Sequence, residues 1–147
     1  MSEIFTIGFT DKSAREFFYL ISQNNVKRII DTRINTGSQL SGFAKKNDLQ
    51  YFLKEICNVD YVWVADFAPT KDLLSRYRSN GITWTEYENL YVDLIIKRKV
   101  EKKYSPEFLD GSCLLCSEHQ PHFCHRRLLV EYLNLSWGSS FEVKHLL

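Results

Sequence analysis

Residues 4–21 read IFTIGFTDKSAREFFYLI, and this stretch decides the class of fold. Its β-branched and aromatic opening, residues 4–7, is typical of a strand, and Gly8 ends the run. Ser13 and Glu16 then have the spacing of a capping box, and apolar side chains follow at helical intervals. A strand that leads directly into a helix is the repeating unit of α/β proteins.

The same alternation continues along the rest of the chain. Further strands are predicted at residues 26–30, 61–65, 113–116 and 141–146. Helical patterns begin at Asn47, behind a second capping box at Thr83 and Glu86, and at Cys124. The sequence therefore predicts one α/β domain over residues 1–147. We expect a mostly parallel sheet of about five strands with helices on both faces.

Two features of these helices are expected to serve packing rather than function. Tyr87 and Tyr91 lie on a long apolar stripe behind Thr83, which is more typical of a core than of a ligand site. Cys57, at the end of the preceding helix, is expected to be a small packing residue.

The net charge of the chain is close to zero. Lysine and arginine number 19, and aspartate and glutamate number 18, which gives a formal charge of +1. No overall basic field therefore draws the protein to nucleic acid, and any anion site must come from local clustering.

Composition also bears on location and on the state of the cysteines. The chain has no apolar run of the ~18 residues that a membrane helix needs. Its N-terminus carries acidic Glu3 and no cationic leader, so we expect no signal peptide and a cytoplasmic protein. Cys57, Cys113, Cys116 and Cys124 are then expected to be reduced thiols rather than a disulfide framework.

Polar residues follow three of the predicted strands at the points where they end. Gly8 follows the first strand, Asp31 and Arg33 follow the second, and Cys116 and Glu118 lie at the end of the fourth. In open parallel sheets, ligands bind outside the carboxyl ends of the strands. We therefore expect Arg33, Cys116 and Glu118 to share one pocket.

The chain resembles a known family at the same positions. The segments IFTIGF near the start, IIDTR at residues 29–33, LLCSEHQPHFCHRRLLVEYL at 114–133 and VKHL at 143–146 are similar to the family called domain of unknown function 488. This resemblance implies an α/β domain with no settled activity. It also implies that the site positions are Gly8, Asp31, Arg33, Cys116, Glu118, Cys124, His125 and Arg126.

The sequence departs from that family pattern at two places. Phe9 stands where the family usually has a histidine after the glycine, and a proline common after the arginine motif is missing from residues 34–37. If the chemistry of the family needs that histidine, this chain has lost or altered that chemistry.

A metal site is one interpretation of the cysteine- and histidine-rich segment. Cys113 and Cys116 are three residues apart on a predicted strand, so they point to opposite faces, and Cys113 is expected to be core. Cys116, His119, His122 and Cys124 could still supply sulfur and nitrogen ligands from one loop. The family pattern supports only the two cysteines of this set.

A reactive thiol is a second interpretation. Cys116 lies at a strand end like the nucleophile of a phosphatase or sulfurtransferase loop, but residues 117–123 contain no glycine to fold around an anion. Cys124 lies in the first turn of a helix, which stabilises a thiolate. Buried, inert cysteines remain an open alternative for both.

Anion recognition is the third interpretation. A helix N-terminus near Cys124, with Arg126 beside it and Arg33 from the neighbouring strand end, predicts a local cationic pocket. Asp31 and Glu118 each pair with an arginine, or one of them is a general base or metal ligand.

These patterns predict a small cytoplasmic enzyme that acts on a phosphate-bearing ligand, a nucleotide or nucleic acid. Arg33 and Arg126 would bind the anion, with Gly8 and Asp31 beside them. Glu118 and His125 would be the acid/base pair, and Cys116 and Cys124 are further catalytic candidates. The alternative is a non-catalytic binding module that uses the same pocket for recognition or for a metal. No cofactor and no protein partner is indicated by the sequence.

Overall fold

Five strands form one sheet in which every neighbouring pair is parallel. The computed structural model describes residues 2–36, 42–118 and 123–147. The strands are β1 (Ser2–Gly8), β2 (Arg28–Asp31), β3 (Asp60–Trp63), β4 (Ser112–Cys116) and β5 (Phe141–Leu146). The predicted number of strands and their parallel arrangement are confirmed.

Seven α-helices lie within the described ranges. They are α1 (Ala14–Gln23), α2 (Lys46–Phe52), α3 (Lys71–Arg78), α4 (Trp84–Arg98), α5 (Val100–Lys103), α6 (Pro106–Leu109) and α7 (His125–Ser136). Both predicted N-terminal caps are present: the side chains of Ser13 and Thr83 accept from the N–H groups of Glu16 and Glu86. At Thr83 the glutamate returns the bond, which completes the capping box.

The order of the strands places the carboxyl ends of β1 and β4 side by side. Across the sheet the order is β3-β2-β4-β1-β5. The chain leaves β1 towards β2 on one side and leaves β4 towards β5 on the other. Such a reversal is where ligands bind in open α/β sheets. Gly8 and Cys116 are aligned across this pair of strands, at the carboxyl end of each.

Apolar side chains cover both faces of the sheet. On one face Ile29 and Leu115 lie in a core cluster with residues of α1 and α2, such as Phe17 and Leu49. On the other face, a second cluster of buried residues includes Ile30 and Leu114 of the sheet and Tyr91, Ile95 and Leu129 of α4 and α7. Neighbouring residues of one strand enter opposite clusters, as the alternation of a pleated strand requires. The predicted helices on both faces are confirmed.

Several element boundaries differ from the predictions. The second strand starts at Arg28 rather than Val26, because the N–H of Val26 still bonds to the carbonyl of Ile21 at the end of α1. The third strand ends at Trp63, and Ala65 begins a 3-10 turn. The second helix was predicted to begin at Asn47, and α2 begins one residue earlier, at Lys46.

Three short helices, α3, α5 and α6, have no counterpart in the predictions. Helix α3 is the important one for function, because it packs beside α4 near the strand ends. Its sequence KDLLSRYR is short and mostly polar, and Leu73 is its one buried residue, so few apolar side chains mark its inner face.

Helix α2 continues into a π-helical turn, Leu53–Cys57, and Cys57 at its end packs partly against the core.

Within the described ranges, none of the helices combines the length and the apolar character needed to cross a membrane.

Candidate functional site

A pocket of about 140 Å³ lies at the carboxyl ends of β2 and β4, beside the start of α7. The strand ends contribute Arg33, Cys116 and Glu118 to its lining, and α7 with its N-cap contributes Cys124 and His125. The prediction that Arg33, Cys116 and Glu118 share one pocket is therefore confirmed.

Arg33 is held in the pocket wall by a buried ion pair with Asp31. The Nε and Nη2 atoms of Arg33 donate to the two carboxylate oxygens at 2.8 and 2.7 Å, and its backbone N–H donates at 3.1 Å. Tyr61 donates its hydroxyl to the same carboxylate at 2.5 Å, and burial with the nearby negative charge raises the pKa of Tyr61. Asp31 thus positions Arg33, as the pairing interpretation predicts.

One nitrogen of this guanidinium is left over. Nη1 of Arg33 is buried and has no hydrogen-bond partner among the residues that the structure describes. The side chain is only 3% exposed, so this nitrogen has lost its water without gaining a partner among the described residues. Buried donors without partners are costly, and such a group is expected to meet a ligand.

Phe9 supports the same guanidinium from another side. The Cζ atom of Arg33 lies 5.4 Å from the centre of the Phe9 ring, which is within the range of a cation–π contact. The departure from the family's histidine therefore places an aromatic ring against Arg33. Trp63 completes the support, because its ring N–H donates to the carbonyl of Arg33 at 2.8 Å.

His125 is oriented by Thr32, the residue between Asp31 and Arg33. The hydroxyl of Thr32 donates to the carbonyl of Leu115 at 2.8 Å, so towards His125 it must act as an acceptor. Nε2 of His125 lies 2.9 Å from both the hydroxyl and the carbonyl oxygen of Thr32. Nε2 therefore carries the proton, and the other ring nitrogen, Nδ1, keeps its lone pair.

Burial keeps this imidazole neutral. It lowers the pKa of His125 to about 4, and the positive charge of Arg126 acts in the same direction. At neutral pH the ring can accept a proton or a hydrogen bond at Nδ1, but it has no second proton to donate. Glu118, in contrast, is exposed at the rim of the pocket.

Arg126 lies beneath the loop that follows β4 and does not line the pocket. Its side chain is fully buried, and Nη1 donates to the sulfur of Cys116 at 3.1 Å and to the carbonyl of Glu118 at 2.5 Å. Burial lowers its pKa to about 10. Arg126 therefore holds the Cys116–Glu118 segment in place, which differs from the direct anion contact predicted for it.

Gly8 makes room for this arrangement. A Cβ atom on Gly8 would lie 1.5 Å from the carbonyl oxygen of Glu118 and 2.5 Å from Nη1 of Arg126. The N–H of Thr10 donates to the carbonyl of Ser117 at 3.0 Å, so the loop is fastened across the end of β1. The predicted position of Gly8 in the site is thus explained by close backbone approach, and the residue does not line the pocket.

The cysteines fall into two groups. Cys113 is completely buried, as predicted, and Cys57 is partly exposed. The sulfur atoms of Cys116 and Cys124 lie in disulfide contact with each other. The expectation of four separate reduced thiols is therefore not confirmed for this pair.

The metal interpretation involved residues that lie partly outside the described chain. His119 and His122 are not among the described residues. In the described ranges, no group of three or more histidine, cysteine, aspartate or glutamate side chains is arranged to hold a metal ion.

Sequence reasoning missed the second wall of the pocket. This wall is formed by aromatic and cationic side chains of α3 and α4 and of the residue before Cys124: Tyr77, Arg78, Trp84, Tyr87 and Phe123. Tyr87 belongs to the core, as expected, but one part of it also faces the pocket. The capping box at Thr83 could have predicted part of this wall, because it places Trp84 in the first turn of α4.

Most of the chain matches one protein family. Residues 13–133 match the family described as Domain of unknown function DUF488. The chain therefore belongs to this family, and the resemblance seen in its motifs is confirmed. No curated protein and no solved structure matches the chain.

The neutral state of His125 predicts how stability depends on pH. Burial lowers its pKa from 6.5 to about 4 in the folded protein, so between these values the unfolded chain binds a proton that the folded chain does not. The free energy of unfolding should be highest above pH 6.5. It should fall, by up to about 3 kcal/mol, as the pH drops from 6.5 towards 4. Urea denaturation over this range measures the effect, and His125→Gln should remove that part of the slope. Equal slopes for the two proteins would contradict the burial of a neutral imidazole.

Proposed function

We propose that this protein is a small cytoplasmic enzyme that binds a phosphate-bearing nucleotide, free or within a nucleic acid, in the pocket. The observation that carries the proposal is Nη1 of Arg33, a buried guanidinium nitrogen without a partner among the described residues, in a residue that lines the pocket. Asp31 takes the other two nitrogens, so the remaining one is already oriented for an incoming anion.

A second cation is available at the mouth of the pocket. Arg78 lines the opening from the end of α3 and is exposed, so it can reach a phosphate without losing an existing buried contact. One buried arginine and one exposed arginine suit a phosphate group that carries more than one negative charge.

The aromatic wall supports a base next to the phosphate. Trp84 is stacked on Tyr87 with ring centres 5.2 Å apart, and Phe123 meets Trp84 edge-on at 5.3 Å. Phe123 is 61% exposed, so much of its ring is open to a ligand. Flat aromatic surfaces beside arginines are the usual means by which proteins stack a nucleobase.

The chemistry proposed for the site uses Glu118 and His125. Nδ1 of His125 is an acceptor at neutral pH. The low pKa of His125 leaves the ring neutral, and its one N–H, at Nε2, donates to Thr32. Glu118 is the carboxylate in reach of the same pocket, and we assign to it the proton transfer to or from the ligand. Arg126 is assigned to holding the loop that carries Glu118, instead of binding the anion.

A panel of nucleotides tests this proposal. Purified protein is incubated with nucleoside monophosphates, adenosine and inorganic phosphate, and ligand binding is followed by thermal shift while turnover is followed by mass spectrometry. We expect binding of a monophosphate, and we expect Glu118→Gln to abolish turnover while binding persists. Glu107→Gln, an exposed change in α6, is the matched control and should retain both.

The alternative is a non-catalytic binding module at the same pocket. The low pKa of His125 favours it, because a neutral ring with a fixed proton is a good recognition group and a poor acid. In that case the panel shows binding without turnover, and Glu118→Gln changes neither.

A further inference from the structure

The two cysteines at the floor of the pocket have surroundings that the proposed function does not use. Cys116 ends β4 and Cys124 is the N-cap of α7, and both line the pocket with 1% and 3% of their surface exposed. Their sulfur atoms are in contact, across a sequence separation of eight residues. The pair of sulfurs therefore borders the space that a small molecule would enter.

Two features favour a thiolate at Cys116. Nη1 of Arg126 donates to its sulfur at 3.1 Å, and this guanidinium is fully buried, so its charge is not screened by water. The N-terminus of α7, a helix of 12 residues, begins at Cys124 beside it. A cysteine that accepts from a buried guanidinium and lies next to a second cysteine has the arrangement of a redox-active thiol with its resolving partner.

The backbone separation argues against a permanent cross-link. The Cα atoms of the two cysteines are 7.7 Å apart. Relaxed disulfides usually have Cα atoms no more than about 6.8 Å apart, and a longer separation requires movement of the backbone. A pair that is bonded in one state and free in another fits this spacing better than a structural staple.

We propose that Cys116 and Cys124 form a peroxide-reactive dithiol. The thiolate of Cys116 attacks one oxygen of hydrogen peroxide, a sulfur–oxygen bond forms, the oxygen–oxygen bond breaks, and hydroxide leaves and takes up a proton as water. The thiolate of Cys124 then attacks the sulfenic acid, a disulfide forms, and a second hydroxide leaves as water. The two thiols lose two electrons and two protons in all, and the peroxide is reduced to two waters.

The test counts thiols and does not depend on any nucleotide. The folded protein is reduced with dithiothreitol, freed of the reductant, exposed to hydrogen peroxide, then unfolded and alkylated. We expect the alkylated cysteines to fall from four to two, with Cys57 and Cys113 retained and a cross-linked peptide that joins Cys116 to Cys124. Dithiothreitol should restore all four.

Two variants complete the test. Cys124→Ser should stop at a sulfenic acid on Cys116 that dimedone traps, whereas Cys57→Ser should leave the cross-link unaffected. Oxidation of the more exposed Cys57 before the pair would overturn the proposal. So would four free thiols after peroxide treatment, or a Cys116–Cys124 bond that dithiothreitol does not open in the folded protein. None of these outcomes bears on nucleotide binding, so the two proposals fail separately.

Discussion

Asp31→Asn is expected to lower the free energy of unfolding by about 3–5 kcal/mol. The carboxylate has no exposed surface and accepts from the side chain and backbone of Arg33 and from the hydroxyl of Tyr61. An amide of the same shape leaves the guanidinium of Arg33 buried without its counter-charge. Chemical denaturation of the variant measures the loss.

Asp60→Asn is the matched control for this change. Asp60 also pairs with a cation, Lys54, but the two side chains are 67% and 60% exposed, so water screens their charges. The control should change stability by less than about 1 kcal/mol. Similar losses for the two variants would show that Asp31 and Arg33 are not a buried pair.

Gly8→Ala is the other substitution with a large expected effect. The added Cβ would lie 1.5 Å from the backbone carbonyl oxygen of Glu118, and a backbone atom cannot move aside as a side chain can. We expect a loss of at least about 3 kcal/mol in the free energy of unfolding, or displacement of the loop after β4. Thermal melts and soluble yield measure the loss.

Gly42→Ala is the control for steric effects at glycine. A Cβ on Gly42 would meet no atom of the described residues within 4 Å, so this variant should melt close to the wild type. A Gly8→Ala protein that melts like the Gly42→Ala protein would contradict the close packing of the loop against β1.

The strands and the position of the pocket could be predicted because their signals are local. Runs of β-branched residues indicate strands whatever their tertiary surroundings. Their alternation with helices indicates that the strands are parallel. Arg33, Cys116 and Glu118 follow strands directly, so the rule that strand ends meet at one edge was sufficient to bring them together.

The remaining parts of the site depend on contacts between distant segments. Helix α3 supplies Tyr77 and Arg78, but its eight residues are mostly polar and include too few apolar side chains to predict a helix that packs on the core. The burial of Arg126 depends on the space that Gly8 leaves more than a hundred residues earlier. An arginine in the first turn of a helix opposes the helix dipole, which indicated an anion. The structure instead provides the carbonyl of Glu118 and the sulfur of Cys116.

The pairing of Cys116 with Cys124 also could not be read from the sequence. Their separation of eight residues permits many loop courses, and most of them keep the sulfurs apart. Composition suggested reduced thiols in general, but it carries no information on which two cysteines meet.

The central claim is that Arg33 binds the phosphate of a nucleotide, and one titration tests it directly. Isothermal titration calorimetry with adenosine 5′-monophosphate is run on the wild type, on Arg33→Lys and on Arg76→Lys, an exposed control on α3 that lies outside the pocket. Thermal melts first establish that all three proteins are folded at the temperature of the titration.

Arg33→Lys keeps the charge but loses the planar fork that Asp31 holds and that presents Nη1. We expect binding to the wild type, weakening by about tenfold to a hundredfold in Arg33→Lys, and no change in Arg76→Lys. Equal affinity in all three proteins would contradict the account, as would a wild type that binds adenosine and its monophosphate equally well.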